Sequence, residues 1–225
     1  MKGRIGMKIC INPGHTLRGV GSGAVGIKNE SEENRKVASE IIRLLKESGY
    51  EVIESRVDSA NSNEEYLNKC VKIANGAKAD LFVSIHFNSY NKSASGVEAL
   101  VYEKNNEASK LAGRICESIS ELGFKNRGVK IRPELYVIRK TTMSAILIEC
   151  CFIDSSSDMN MYEYRSMARA IVKGITGKSL EADNVSNEKL YRVCVGSYKE
   201  KDNANKRLED VKNKGYKDSF IYIDI

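Results

Sequence analysis

The chain alternates short apolar runs with amphipathic stretches as far as residue 177. "MKICIN" (7–12) reads as a strand. Residues 32–48 read as a helix, because Val37, Ile41, Leu44 and Leu45 share one face and Gly49 supplies a stop. "EVIESR" (51–56) predicts a second strand, and 64–75 a second helix built on Leu67, Val71, Ile73 and Ala74. "DLFVSIH" (80–86) is apolar enough for a strand buried on both faces, "GVEALVY" (96–102) predicts another, and 107–122 predicts a helix. "LYVIR" (135–139) and "AILIECCF" (145–152) complete the predicted strands, and 158–175 predicts one last helix ending near Gly174 and Gly177. Alternation of this kind argues for an α/β fold with a mostly parallel twisted sheet flanked by helices on both faces. Sites in such sheets collect at the carboxyl ends of strands. His15 and His86 both fall there.

The pattern changes after residue 177. Residues 178–188, "KSLEADNVSNE", carry few apolar side chains and read as a linker. Beyond it the sequence predicts a strand (190–196), a helix (201–213) and a strand (219–224), with turns at Gly196 and Gly215. The expected organisation is a main domain over 1–177, the linker, and a small C-terminal βαβ half-module over 189–225. Two strands and one helix bury too little apolar surface to be stable alone.

Composition narrows the class. An apolar fraction of 41% over 225 residues supports a sizeable core. The sequence has no apolar run long enough for a transmembrane helix, so no membrane insertion is expected. The opening "MKGRIGMKICINPGH" lacks the apolar stretch of a signal peptide, so the chain is expected to be made in the cytoplasm. The six cysteines lack metal-ligand spacing and read as reduced, mostly buried thiols, with Cys150 and Cys151 predicted on opposite faces of their strand. The net charge is +6, and the last 45 residues carry nine basic and nine acidic side chains, so the excess lies upstream. Such a surface suits a polyanionic partner. No basic block interleaved with aromatics is present, which favours a cell wall or membrane surface over nucleic acid.

Candidate chemistry centres on the only two histidines, His15 and His86, each following a buried strand. Either alone is as readily a hydrogen-bonded core residue. Together with Glu30, which opens the first helix after a glycine-rich loop, they offer the His₂Glu set of a catalytic zinc site. Across that loop Glu30 could swing toward the end of the first strand; its alternative is a helix-start charge favoured by the macrodipole, as Glu32 and Glu33 also read. Glu149 lies inside "SAILIECCF" with apolar residues on both sides. A carboxylate there costs several kcal/mol unless it is paired or lies beside a metal. It is either a general base near a metal-activated water or half of an ion pair with an arginine such as Arg139.

These segments resemble the zinc-dependent N-acetylmuramoyl-L-alanine amidases of the Amidase_3 type, found in bacterial autolysins and phage endolysins. The resemblance runs in order over about residues 7–177: "NPGH", a Gly-rich loop, Glu30 with Asn34 four residues on, "SRVDS", "ADLFVSIHFNS", "NRGVK" (126–130), "LYVIR" and "MSAILIECCFIDSSSD". It implies that His15, Glu30 and His86 bind Zn²⁺ and that Glu149 is catalytic. Asn88, Asn126 and Arg127 are candidates for the substrate groove, with Arg127 suited to a stem-peptide carboxylate. Two departures flank Glu149. Met143-Ser144 stands where the family usually has proline before the alanine, and Cys150-Cys151 replaces a small residue followed by glycine. Neither removes a ligand.

The activity implied is hydrolysis of the amide joining the lactyl group of N-acetylmuramic acid to L-alanine in peptidoglycan. Release to the wall by lysis or a holin-type pore would suit a phage or prophage endolysin, and a sporulation mother-cell autolysin is the alternative. A non-catalytic wall-binding protein and a stem-peptide peptidase are competing classes. The tail, "YRVCVGSYKEKDNANKRLEDVKNKGY", resembles the first half of a SPOR domain, a peptidoglycan-binding module. Two half-modules pairing in a homodimer would complete one sheet. A tail that only dimerises is the alternative.

Overall fold

A computed structural model gives the fold, and it describes residues 6–179, 195–217, 219 and 221. The chain divides into two compact units, the first ending at Leu180 and the second starting at Glu181.

The first unit is built on a six-stranded sheet. In chain order the strands are β1 (Lys8–Pro13), β2 (Glu51–Glu54), β3 (Leu81–Asn88), β4 (Val97–Val101), β5 (Asn126–Ile131) and β6 (Ser144–Phe152). Their spatial order is β2-β1-β3-β6-β4-β5. Every pairing is parallel except β4 with β6. The helices are α1 (Glu30–Glu47), α2 (Asn63–Gly76), α3 (Glu107–Ser120), α4 (Tyr136–Lys140), α5 (Ser156–Met161) and α6 (Tyr164–Thr176).

The alternation of side chains along the central strands explains the layers. Ile9, Ile11, Val83, Ile85, Ile146 and Ile148 point to one face, where Val37 and Ile41 of α1, Ile115 of α3 and Ile171 of α6 cover them. Cys10, Phe82, Ala145 and Leu147 point to the other, against Val71 and Ala74 of α2 and Val137 and Ile138 of α4. The expected mostly parallel sheet with helices on both faces is what forms.

Four local expectations are corrected. "LYVIR" is helical, not extended. Pro133 precedes it, Arg139 N–H reaches the Leu135 carbonyl at 2.9 Å, and one short turn buries Val137 and Ile138 in the same cluster. The sixth strand is instead β5, an edge strand whose residues are mostly half-exposed, so no apolar run announces it. The last helix breaks at Tyr162, because the Glu163 side chain caps α6 by accepting the Arg165 and Ser166 N–H groups. Cys150 and Cys151 pack into one core cluster rather than facing apart. Pairing runs from His86↔Glu149 to Asn88↔Phe152, so the two cysteines together oppose Phe87 in a bulge. The five cysteines described are free and buried.

In the second unit helix α7 (Lys201–Asn213) forms where predicted, with Val211 as its buried residue. The linker from residue 180, residues 190–194 of the first predicted tail strand and most of 219–224 lie outside the described residues. Among the described residues, no helix is long and apolar enough to cross a membrane.

Candidate metal centre

Three segments converge at the ends of β1 and β3. Pro13 is in register with Ile85, so the chain leaving β1 passes beside His86. Gly14 donates its N–H to the Ile85 carbonyl at 2.9 Å. The imidazole lies against it so closely that a Cβ at Gly14 would stand 2.3 Å from His86 Nε2. Only glycine fits. His15 then reverses the chain with φ +64°, a left-handed backbone that costs a non-glycine residue about 1–2 kcal/mol.

Glu30 arrives from the other side as the first residue of α1, whose N-cap Asn29 accepts the Glu32 N–H. Its Oε2 accepts the Ala24 N–H at 2.8 Å and its Oε1 the Phe87 N–H at 3.1 Å. The same Oε1 lies 3.2 Å from both His15 Nε2 and His86 Nδ1. The glycine-rich loop is tied down rather than free: Gly23 N–H reaches Ser31 Oγ at 2.9 Å and Ile27 N–H reaches the Ile153 carbonyl at 2.9 Å. Gly23 is there for room, since a Cβ would stand 2.7 Å from Glu30 Oε2. Glu33 is no solvated helix-start charge. It is buried and receives Lys36 Nζ at 2.8 Å and the Tyr162 hydroxyl at 2.9 Å.

The remaining ring nitrogens set both tautomers. His15 Nδ1 lies 3.0 Å from the Gly21 carbonyl, which only accepts, so Nδ1 carries the proton and Nε2 its lone pair. Ser84 Oγ donates to Asn12 Oδ1 at 2.8 Å, so it accepts from His86 Nε2 at 3.1 Å and leaves the Nδ1 lone pair inward. Asn12 is itself fixed by donating to the Ser55 carbonyl at 2.8 Å. Two imidazole lone pairs and a carboxylate oxygen therefore face one another, with all three ligand atoms within 4.8 Å. That arrangement is repulsive without a positive charge among them. It fits a divalent cation taking two nitrogens and one oxygen.

The electrostatics of the cluster make the same demand. Burial opposes ionisation of Glu30, yet hydrogen bonds and attraction from His15 and His86 outweigh it and hold its pKa well below the carboxylate range. Burial likewise works against charging His15, but Glu30 and the Gly21 carbonyl overcome it and raise its pKa. His86 is lowered, by burial first and then by repulsion from His15, with Glu30 opposing.

Glu149 is placed by the sheet. It pairs in register with His86 on β3 and with Glu98 on β4. Its Oε2 is enclosed and has no hydrogen-bond partner among the described residues. Burial, followed by repulsion from Glu30 and Glu98 and partly offset by Arg132, pushes its pKa up to about 8. Arg139, the alternative partner, lines a surface cavity with Ser144 and Ala145 at the start of the same strand.

The predicted groove residues divide. Asn88 Nδ2 and Arg127 Nε converge on Glu98, at 3.0 and 2.8 Å, and the Arg127 guanidinium also stacks over Phe152 at 5.0 Å. Asn126 stays apart, its Oδ1 accepting the Gly128 N–H at 2.8 Å. Glu98 itself was missed, although it carries the signal that exposed Glu149: a lone carboxylate in an apolar strand, "VEALV". Arg132 follows the edge strand and has no sequence signal of its own.

A His₂Glu donor set beside an unpartnered carboxylate at strand ends is the constellation of zinc hydrolases. A sequence model of the N-acetylmuramoyl-L-alanine amidase family matches residues 9–177, and the chain belongs to that family. A SPOR domain model matches residues 162–222, a span that starts upstream of α6, which packs on α1 and α3. Among solved structures, the catalytic domain of the CD27L endolysin targeting Clostridia Difficile superposes with a TM-score of 0.71 at 29% identity, covering 77% of this chain and 99% of that one. The sporulation-specific N-acetylmuramoyl-L-alanine amidase of Bacillus subtilis is 28% identical over 96% of this chain and 85% of its own length. A Clostridium perfringens protein is 35% identical over 81% of this chain and 55% of its own, so the chain spans about half the length of that relative.

Proposed function

We propose that the chain is a zinc-dependent N-acetylmuramoyl-L-alanine amidase that hydrolyses the amide between the lactyl group of N-acetylmuramic acid and L-alanine of the stem peptide. The observation that carries this reading is Glu149, a part-buried carboxylate with one enclosed oxygen that lacks a hydrogen-bond partner among the described residues, set in register beside His86 of the His15–Glu30–His86 cluster. His15 Nε2, His86 Nδ1 and Glu30 Oε1 would hold the zinc. Zinc in that position supplies Lewis acidity, polarising a carbonyl and acidifying water.

Glu149 moves the proton. Its carboxylate accepts one from water as the water oxygen adds to the carbonyl carbon. It then delivers that proton to the alanine nitrogen as the C–N bond breaks, leaving a lactyl carboxylic acid and a free α-amine, between which the second water proton passes to give carboxylate and ammonium. A pKa raised toward neutrality suits a group that must both take and give. Asn88 and Arg127, gathered on Glu98 at the same strand ends, and Asn126 on the β5 edge are the groove residues of this reading. Family resemblance and the SPOR match support peptidoglycan as the target. The described similarities include both an endolysin domain and a sporulation amidase, and the proposal is the activity those two names share. Pairing of C-terminal segments between two copies belongs to the same proposal.

Digestion of purified peptidoglycan followed by labelling of new amino termini tests it. New L-alanine termini, lost in Glu149→Ala while that variant keeps its fold and its zinc, are expected. Cleavage within the stem peptide, or no cleavage, would overturn it.

A further inference from the structure

Two positions in the recognised sequence pattern hold no candidate ligand and face no reacting group: Asn34, four residues after Glu30, and Asp58 in "SRVDS". Both lead to the peptide around His15. Asn34 is fully buried, and its Nδ2 donates to the Gly14 carbonyl at 3.1 Å. The next residue, Arg35, donates from Nη2 to the His15 carbonyl at 3.1 Å. Arg35 is held in turn by Asp58, whose Oδ1 receives Nε at 2.9 Å and Nη2 at 2.8 Å, and by the Ser31 carbonyl, which receives Nη1 at 2.7 Å. Asp58 is anchored to the loop after His15, because its carbonyl accepts the Leu17 N–H at 3.0 Å. The Tyr66 phenol lies against the His15 backbone from α2.

Two consecutive carbonyls, on either side of the His15 α-carbon, are thus gripped by two consecutive residues of one helix. Between them His15 holds φ +64°. A side chain-bearing residue stays in that region only where its surroundings over-determine it.

We propose that Asn34, Arg35 and Asp58 form a clamp that holds His15 in its left-handed backbone and so aims Nε2 at the metal. They are positioning residues. The first turn of α1 then supplies Glu30 and its second turn fixes the peptide of another ligand, so one rigid helix sets the spacing of the two. The inference rests on His15 being a metal ligand.

The test is zinc affinity of the full chain, titrated in competition with a chelating dye. Arg35→Met is expected to weaken binding about 10–100-fold. In a His15→Ala background the same substitution should change the residual affinity by less than about twofold. The chain has two histidines, so their imidazole NMR signals are readily separated; in metal-free protein Arg35→Met should move the His15 signals further than those of His86, whose ring lies 4.8 Å away. A wild-type chain that takes up no zinc defeats the reading of the metal centre. Wild-type uptake matched by Arg35→Met overturns the clamp alone. Equal losses with and without His15 also overturn it, since Arg35 would then act through Glu30 or the fold. If Arg35→Met does not fold, Asp58→Asn carries the test, its side chain being half exposed. A weakening of about threefold or more that vanishes in the His15→Ala background supports the clamp, and anything less overturns it.

Discussion

Glu30 and Glu149 are both carboxylates carried into the core at neighbouring strand ends, yet Glu30 has a partner for each oxygen whereas Glu149 has an enclosed oxygen with none. Burial opposes ionisation of both. The two histidines reverse that for Glu30, while for Glu149 repulsion from Glu30 and Glu98 reinforces it. The contrast separates the two tasks of a metallohydrolase. Under the proposed function, the group that would hold a cation is kept charged and rigid, and the group that would exchange a proton keeps an enclosed oxygen free of hydrogen bonds among the described residues and a raised pKa.

Breaking each side should fail differently, and this is the largest expected effect. Glu149→Ala is expected to lower wall-clearing turnover by about 10³-fold or more while zinc content, measured by atomic absorption, stays that of the wild type. Glu30→Ala should lose the zinc itself. If Glu149→Ala also lost the metal, the two carboxylates would not have separate tasks.

The second effect is on stability without metal. Glu149 has a folded pKa of about 8 against an ordinary 4.5, so between those values the folded chain binds a proton that the unfolded chain has released. Stability is therefore highest at or below the lower value and falls as pH rises toward the upper one. Full burial would set this loss at about 5 kcal/mol, and the partly open carboxylate reduces it to about 3 kcal/mol. Glu30 works in the opposite sense: its stabilisation is complete above the ordinary carboxylate value and is lost in acid. Urea titrations of chelator-treated protein across pH 5–8 should show the decline, and Glu149→Gln should flatten it.

A smaller break targets the crowding that lets the ligands meet. Gly14→Ala forces a methyl to 2.3 Å from His86 Nε2, which the ring relieves only by leaving Ser84. Destabilisation by about 1–3 kcal/mol is expected in thermal melts, together with weaker zinc binding. Gly113→Ala, in α3 without a left-handed backbone and with nothing within 4 Å of its Cβ, is the control for generic glycine effects and should leave zinc affinity unchanged.

How much of this was legible depends on where each element sits. Central strands such as "DLFVSIH" are buried on both faces and announce themselves as apolar runs. The edge strand β5 pairs on one side only and stays half-exposed, so its sequence looks like a loop. "LYVIR" has strand-like residues, but placing Val137 and Ile138 in one cluster requires a helical turn, a tertiary demand that no local pattern states. At the site, His15, His86 and Glu149 stood out as rare or misplaced residue types, Glu30 was singled out among three clustered glutamates only by the family resemblance, and the sheet register brings the four to one end. The second layer did not stand out. Asn12 and Arg35 are ordinary polar residues whose roles follow only from hydrogen bonds to Ser84 and His15 across tens of residues of chain, and Ser84, two residues before His86, is ordinary as well. The Cys150–Cys151 bulge is equally invisible, because alternation predicts opposite faces unless the partner strand is known to be one residue short.

Glu98 offers the finest adjustment of the contrast, since it acts on Glu149 without contacting the cation site. It faces Glu149 across β4 and β6 and is clamped by Asn88 and Arg127. Glu98→Gln keeps the shape of the clamp and removes one of the two acidic neighbours that raise the Glu149 pKa, and it also frees the positive charge of Arg127. Both changes favour the ionised carboxylate, so the pKa must fall. Protonated Glu149 cannot take a proton from water, so the acid limb of the pH–rate profile reports that pKa and should move to lower pH by about half a unit. Arg132→Gln removes the positive charge that lowers the Glu149 pKa and should move the same limb upward. Opposite displacements of one limb, with zinc affinity constant in both variants, would tie it to Glu149. Displacements of the same sign would mean that the limb belongs to another group.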